Sequence, residues 1–378
     1  MNIETFTWGI WREGEQYEYY LPEKINHPWK WEHAGLSALL EEASLKLGEL
    51  NSFARLVPNI DLFIQLHVTT EAVISSRIEG TRTNIDEALL PEDAVAPERR
   101  QDWIEVRNYR EALNTAIALL DELPISSRLI KRTHEILLSG VRGEHRNPGE
   151  YRTSQNWIGG ATIQDAVFIP PAHIYVHDLM GDLENFLHNE DIDLPDLIRI
   201  GMVHDQFEAI HPFLDGNGRI GRLLITLYLV SRKILNQPLL YLSRFFEQHK
   251  GTYYDNLMRV RRDNDMIGWL RYFLIGIRDT AVQAADTLSG VLQLKEDLES
   301  RLRQEWGRRT HSGLKLLEHL FRYPVVDIKT VQGVCDLSAR AAGNLVRSFE
   351  EAGILQEITG QYRNRKYLFE SYLNRFRD

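Results

Sequence analysis

The chain has 378 residues, 43% of them hydrophobic, more than one ordinary core needs, so two or three mainly helical units are expected. A formal charge of -10 argues against a chain that coats nucleic acid or an anionic membrane through its overall field, and leaves room only for a local basic patch. A single cysteine, Cys335, excludes an intrachain disulfide and any metal site built from a cysteine cluster, and reads as a buried thiol in an apolar helix.

Residues 1–100 begin as an arm rich in aromatics and prolines, with Trp8, Trp11, Trp29 and Trp31, and show no clear period before a helix at 37–51. Met1–Glu13 lacks the basic-then-apolar pattern of a signal peptide, and the apolar run Leu223–Val230 is far short of the roughly 20 residues of a membrane span. A cytoplasmic chain with no membrane partner is therefore expected. Rough helical spacing through Leu66 and Val73 predicts a helix over 60–78, stopped by Gly80. After an acidic connector at 90–97, helices are predicted at 102–120 and 127–138. Asn147-Pro148-Gly149, Trp157-Ile158-Gly159-Gly160 and Val167–Pro171 then signal a short β-hairpin within the helical domain.

Helices return at 176–188 and 194–210, and a loop leads into the strongly apolar 219–234, which should be the central buried helix. A helical region over 252–285 completes a core spanning 101–285, and 286–310 reads as a helix joining it to a tail. In the tail, 311–378, helices at 314–322 and 328–335 precede one that is capped by Ser338 and ends near Gly353, and a hairpin-like stretch covers 354–369. This is the pattern of a winged helix-turn-helix: residues 339–351 could enter a DNA major groove, with Arg363, Arg365 and Lys366 on the wing. A docking or dimerisation module fits equally well, because Glu350 and Glu351 dilute the basic face.

The chemistry lies in His211-Pro212-Phe213-Leu214-Asp215-Gly216-Asn217-Gly218-Arg219-Ile220-Gly221-Arg222. Gly216 and Gly218 allow backbone conformations in which successive amides converge on an anion, and the loop feeds a helix N-terminus whose dipole adds positive potential. Asp215 offers one hard oxygen to Mg²⁺, and Arg219 and Arg222, three apart, can grip phosphate oxygens. His211, with an ordinary pKa near neutrality, can accept a hydroxyl proton. A histidine before proline, or a Gly-Asn-Gly, is by itself usually only a turn; the combination within twelve residues is what points to a phosphate chain. Gly216, Gly218 and Gly221 also spell a dinucleotide fingerprint, but the preceding stretch reads as helix and no acidic residue occurs between Arg222 and Phe246. The Gly-Lys-Ser/Thr of a P-loop is missing from the motif too.

The stretch resembles, position for position, the H-P-F-x-[DE]-G-N-G-R-x-x-R signature of the Fic family of AMP transferases. Ser75, Glu79 and Gly80 are similar to the family's inhibitory motif, and Gly149–Pro171 to its flap. The resemblance extends over nearly the whole chain, including the arm and a winged-helix tail as in bacterial members. It implies a mainly α fold: an inhibitory helix within 1–100, a Fic-type helical core with a small β-hairpin flap, and the C-terminal winged helix-turn-helix. It implies ATP as substrate, with Gly216, Asn217, Gly218, Arg219, Ile220, Gly221, Arg222 and Tyr254 binding the nucleotide and Asp215 holding Mg²⁺. His211 would be the general base that activates a Ser, Thr or Tyr hydroxyl of a target protein, or of the chain itself, with diphosphate released. Ile163 and Val167 would dock the target, and Glu79, paired with Arg222, would stand where the γ-phosphate belongs. By analogy a homodimer is expected. Two other outcomes stay open: a hydrolase that removes AMP through the same site, and an ATP-sensing DNA-binding regulator.

Overall fold

The computed structural model describes residues 1–14, 16–57, 60–360 and 362–377. The chain opens with a hairpin of β1 (Gly9–Glu13) and β2 (Glu18–Pro22), antiparallel with Gly9 opposite Pro22. Sequence periodicity missed it because β1 buries no side chain, so no apolar alternation marks it. Then come α1 (Ala34–Leu56), capped by the His33 ring on the Leu36 N–H, and α2 (Asp61–Ile78). The predicted stop is real: Gly80 adopts φ +101°, and the Thr81 N–H returns to the Ser76 carbonyl, closing the helix end as only a left-handed residue permits.

The short α3 (Ile85–Ala88) carries a full Asn84/Glu87 capping box. It leads to α4 (Arg100–Leu119) and to α5 (Ser127–Leu137), which Ser126 caps. The flap follows, then α6 (Val176–His188), α7 (Asp196–Ile210) and α8 (Asn217–Ser231). Every residue of α7 from Leu197 to Ile210 is buried, and α8 is buried on nearly all sides, as the apolar residues on nearly every side of it predict.

Beyond α9 (Ser243–Gln248), the expected helical region over 252–285 is two helices, α10 (Lys250–Asp263) and α11 (Met266–Glu305). The break is Asn264, left-handed at φ 58°; its amide accepts the Trp8 N–H and donates to the Phe6 carbonyl, so one residue ends a helix and fastens the N-terminal arm. Helix α11 runs unbroken for 40 residues against α1, so the boundary expected at 285/286 falls inside it.

The tail comprises α12 (Thr310–Arg322), β3 (Val325–Val326), α13 (Ile328–Cys335), α14 (Ala339–Glu351), β4 (Gln356–Glu357), β5 (Tyr367–Leu368) and α15 (Glu370–Arg377). Its strands form one sheet in the order β3-β5-β4, consistent with a winged-helix motif. Cys335 is buried, its thiol on the Ser312 carbonyl. One expected wing cation is committed internally: Lys366 pairs at 2.9 Å with Asp327, which caps α13. The terminal α15 was not foreseen. It returns to the core, with Phe376 on Phe63 and His67 and Arg377 paired with Asp86, while α12 packs on α2. Among the described residues a continuous apolar core thus runs from the arm through α7 and α8 into the tail, beside a small cluster of Tyr20, Phe168 and Ala209. Among the described residues no helix is long and apolar enough to cross a membrane.

Candidate active site

Three helix ends meet at the site: the C-termini of α2 and α7 and the N-terminus of α8. Helix α7 ends because His211 turns left-handed, at φ 49° and ψ 61°. The loop it starts is closed by Asn217, whose Oδ1 accepts the Phe213 N–H and whose Nδ2 donates to the Phe213 carbonyl, both at 2.8 Å and buried. The His134 ring stacks on Phe213, its centroid 3.7 Å away. It accepts the Gly149 N–H on Nδ1, so its Nε2–H donates to the Asp215 carbonyl at 2.9 Å, and burial, which lowers its pKa to about 4, keeps the ring neutral. Arg152, nearly fully buried, donates to the carbonyls of His211, Ile210 and Pro171 and so joins flap to loop; burial lowers its pKa to about 10, and it stays charged at neutral pH.

Asn217→Ala leaves two buried backbone groups of Phe213 with less than their full complement of partners. It is expected to lower stability on the order of 2 kcal/mol, read as a fall in the calorimetric unfolding temperature, with Asn217→Asp falling between Ala and wild type because it keeps the acceptor.

The mouth of the loop is built for an anion. In the first turn of α8 the N–H groups of Asn217, Gly218 and Arg219 have no carbonyl four residues behind them within the helix, whereas the Ile220 N–H already bonds the Gly216 carbonyl at 3.0 Å. Ile220 is buried in the core, and Gly221 lies against Phe207 and Glu208, its carbonyl on the His204 ring. These two residues, expected among the nucleotide ligands, therefore support the turn from behind and offer it no free donor.

Arg222, also buried, donates from Nε to Ser75 Oγ at 2.9 Å, and from Nη2 to the Ser75 carbonyl at 2.9 Å and to Glu79 Oε1 at 2.7 Å. A Cβ on Gly218 would overlap Glu79 Oε1, so the carboxylate rests directly on the glycine of the anion-binding turn. Burial opposes charge on Glu79, but Arg222, with help from Arg219 and His211, holds its carboxyl below the usual range. It is ionised at neutral pH. Its contribution to folding is present above the ordinary carboxylate pKa and is lost as acid protonates it below that.

Arg219 is tied to Glu105 at 3.4 Å and to Asp215 at 3.3 Å, and so in this state it braces the loop. Asp215, 45% exposed, also accepts the Gly216 N–H. Among the described residues no group of three or more His, Cys, Asp or Glu could hold a metal ion. One half-exposed carboxylate beside an amide cradle fits Mg²⁺, which takes most of its ligands from phosphate and water. Lys250 donates to the Ile78 carbonyl at 2.7 Å, fixing the end of α2, and beneath it lies the Tyr254 ring, 38% exposed. Burial, then the nearby charge of Glu79, raises the Tyr254 pKa to about 12.

His211 departs from expectation. Burial, then Arg152, lowers its pKa to about 4, well below neutrality, so the imidazole is neutral and open to a proton but weakly basic. The expected hairpin is minimal: one antiparallel bridge between Ile158 and Phe168, with a 3-10 turn at Ile163–Asp165. Val167 is 65% exposed and Ile163 half-buried, while Phe168 packs on Trp11 and Tyr20. The structure brings Ser75 and Glu79 to Arg222, and Glu79 to Gly218, while Gly80 ends α2. It adds four residues that sequence reasoning missed: Glu105, His134, Arg152 and Glu208. Only Arg152 sat in a stretch already singled out.

These features define a class, a helical core presenting an anion-binding turn between a histidine and two arginines, with a carboxylate lodged in the turn. Residues 37–118 match the model of the Fic/DOC family N-terminal region and residues 124–229 that of the Fic/DOC family, so over these residues the chain carries a Fic domain together with its N-terminal companion. A probable protein adenylyltransferase of Aquifex aeolicus is 31% identical over 180 residues, 47% of this chain and 52% of that protein. Protein adenylyltransferase fic-1 of Caenorhabditis briggsae is 29% identical over 165 residues, 40% of this chain and 30% of that protein. The chain thus spans about half or less of these relatives' lengths. A Fic family protein of Desulfovibrio desulfuricans shares the fold with a TM-score of 0.57 at 19% identity, over 91% of this chain and 98% of that one. Fic-1 of Caenorhabditis elegans does so with a TM-score of 0.53 at 22% identity, over 67% and 74%.

Proposed function

We propose that this chain transfers AMP from Mg-ATP to a Ser, Thr or Tyr hydroxyl of a protein, itself included, and that Glu79 holds the site inhibited. The observation that carries the reading is the Glu79 carboxylate resting on the Gly218 turn and paired with buried Arg222. A carboxylate held there marks the turn as an anion site and fills it at the same time.

With Glu79 displaced, Arg222 and the free amides of Asn217 and Gly218 would receive the outer phosphates. Asp215 would hold Mg²⁺, which when bound neutralises phosphate charge. Tyr254 would border the adenine, and the target segment would lie along the flap past Ile163 and Val167, presenting its hydroxyl to His211. The imidazole accepts the hydroxyl proton, the oxygen bonds the α-phosphorus, and diphosphate leaves. Two of the named relatives are called protein adenylyltransferases, which supports this direction of transfer.

The test uses the Glu79→Gly chain in a cell lysate with Mg-ATP, followed by mass spectrometry. Proteins carrying an added AMP, absent with His211→Asn, are expected; their absence removes the reading.

A further inference from the structure

Two buried polar atoms beside the reactive imidazole lack a hydrogen-bond partner: His211 Nδ1 and Glu208 Oε1. Glu208 lies three residues before His211 at the end of α7, and its Oε2 is 3.8 Å from that nitrogen. Its room comes from Gly221, where a Cβ would overlap Oε1. Burying a carboxylate without a full set of partners is costly, and an apolar side chain would fill the space at less cost. A carboxylate at the Nδ1 edge of an imidazole is the arrangement by which enzymes orient a histidine base and strengthen it.

We propose that Glu208 is the positioning residue of His211, accepting its Nδ1–H and thereby leaving Nε2 as the proton acceptor. The inference rests on His211 acting as the base. The proton of the target hydroxyl passes to Nε2 and the oxygen's electron pair to phosphorus; Glu208 gains no proton and stabilises the imidazolium by its charge. Closing 3.8 Å to a hydrogen bond takes a small side-chain rotation of the kind that accompanies substrate binding.

Glu208 faces Arg222 of α8, Arg261 of α10, Glu79 beyond α2, and Asp205 and His211 of its own helix end; His211 faces Arg152 of the flap, Glu79, Arg261 and the backbone carbonyl of Glu208, which lies near the ring as a second acceptor. Burial raises the Glu208 pKa to about 7, with Arg222 and Arg261 opposing and Glu79 and Asp205 adding to the rise. The carboxylate form therefore grows in as pH rises through neutrality, and the histidine becomes a stronger base with it.

Two measurements on the full chain test this. In nucleotide-free protein, NMR of the His211 ring, assigned with His211→Asn, is expected to show a step near pH 7 that is missing in Glu208→Gln. In the Glu79→Gly background, Glu208→Gln is expected to lower kcat for AMP transfer about 10- to 100-fold at pH 8, with KM for ATP unchanged and the rise of rate with pH flattened. Gly221→Ala, which keeps the carboxylate but pushes it from its position beside the ring, is expected to flatten the same profile and covers a folding failure of Glu208→Gln. Ring titrations and pH profiles unchanged by both variants overturn the proposal. If Glu79→Gly transfers no AMP while the ring still tracks Glu208, the AMP-transfer reading fails and the pairing stands.

Discussion

Glu79→Gly is expected to raise AMP transfer about 10- to 100-fold and to tighten ATP binding in parallel. The size follows from the contact removed. A charge-assisted hydrogen bond to Arg222 contributes roughly 1.5–3 kcal/mol, and each 1.4 kcal/mol is a factor of ten. Because Glu79 lies on Gly218, its loss frees the turn as well as the guanidinium. Arg222 stays held by Ser75 through two hydrogen bonds, so the cation does not wander when its carboxylate partner is removed. Glu79→Gln, which keeps the hydrogen-bonding shape without the charge, should fall between the two. The measurements are initial rates of AMP incorporation and the calorimetric Kd for Mg-ATP; an unchanged rate together with an unchanged Kd would mean that Glu79 does not occupy the nucleotide's place.

In that activated background, loss of the imidazole is expected to cut transfer by about 10²–10⁴, the contribution of a positioned base, while the Kd for ATP changes little. The choice of replacement matters because His211 is left-handed at φ 49°. Alanine there is strained by roughly 1–2 kcal/mol, whereas asparagine tolerates the conformation, so His211→Asn separates lost chemistry from a disturbed loop. Equal loss in both variants at full ATP affinity assigns the effect to the proton acceptor. A loss seen only with alanine assigns it to the backbone.

The twelve-residue motif was legible because its chemistry is local: glycines, arginines and a histidine within one loop and one helical turn carry their spacing in the chain. The end of α2 was legible for the same reason, since Gly80 announces the stop. What places Glu79 on Gly218, 139 residues later in the chain, is packing among α2, α7 and α8, and only a family resemblance suggested it. The supports His134, Arg152, Glu105 and Glu208 stayed invisible because each is an ordinary polar residue whose role depends on distant carbonyls or charges that the fold brings close. The same limit explains the histidine's basicity. A sequence shows an imidazole with its ordinary pKa; the burial and the Arg152 charge that depress it exist only after folding. The break at Asn264 and the return of α15 to the core are likewise set by partners far away in sequence, Trp8 and Phe6 in one case and Phe63 and His67 in the other.

The most direct test follows label rather than rate. The Glu79→Gly chain is supplied in parallel with Mg-ATP labelled at the α-phosphate and at the γ-phosphate, and protein-bound label is counted after denaturing washes. The account predicts α-label on protein, lost with His211→Asn, and γ-label only in the released diphosphate. Label from the γ-phosphate on protein, or α-label that persists without the imidazole, contradicts it.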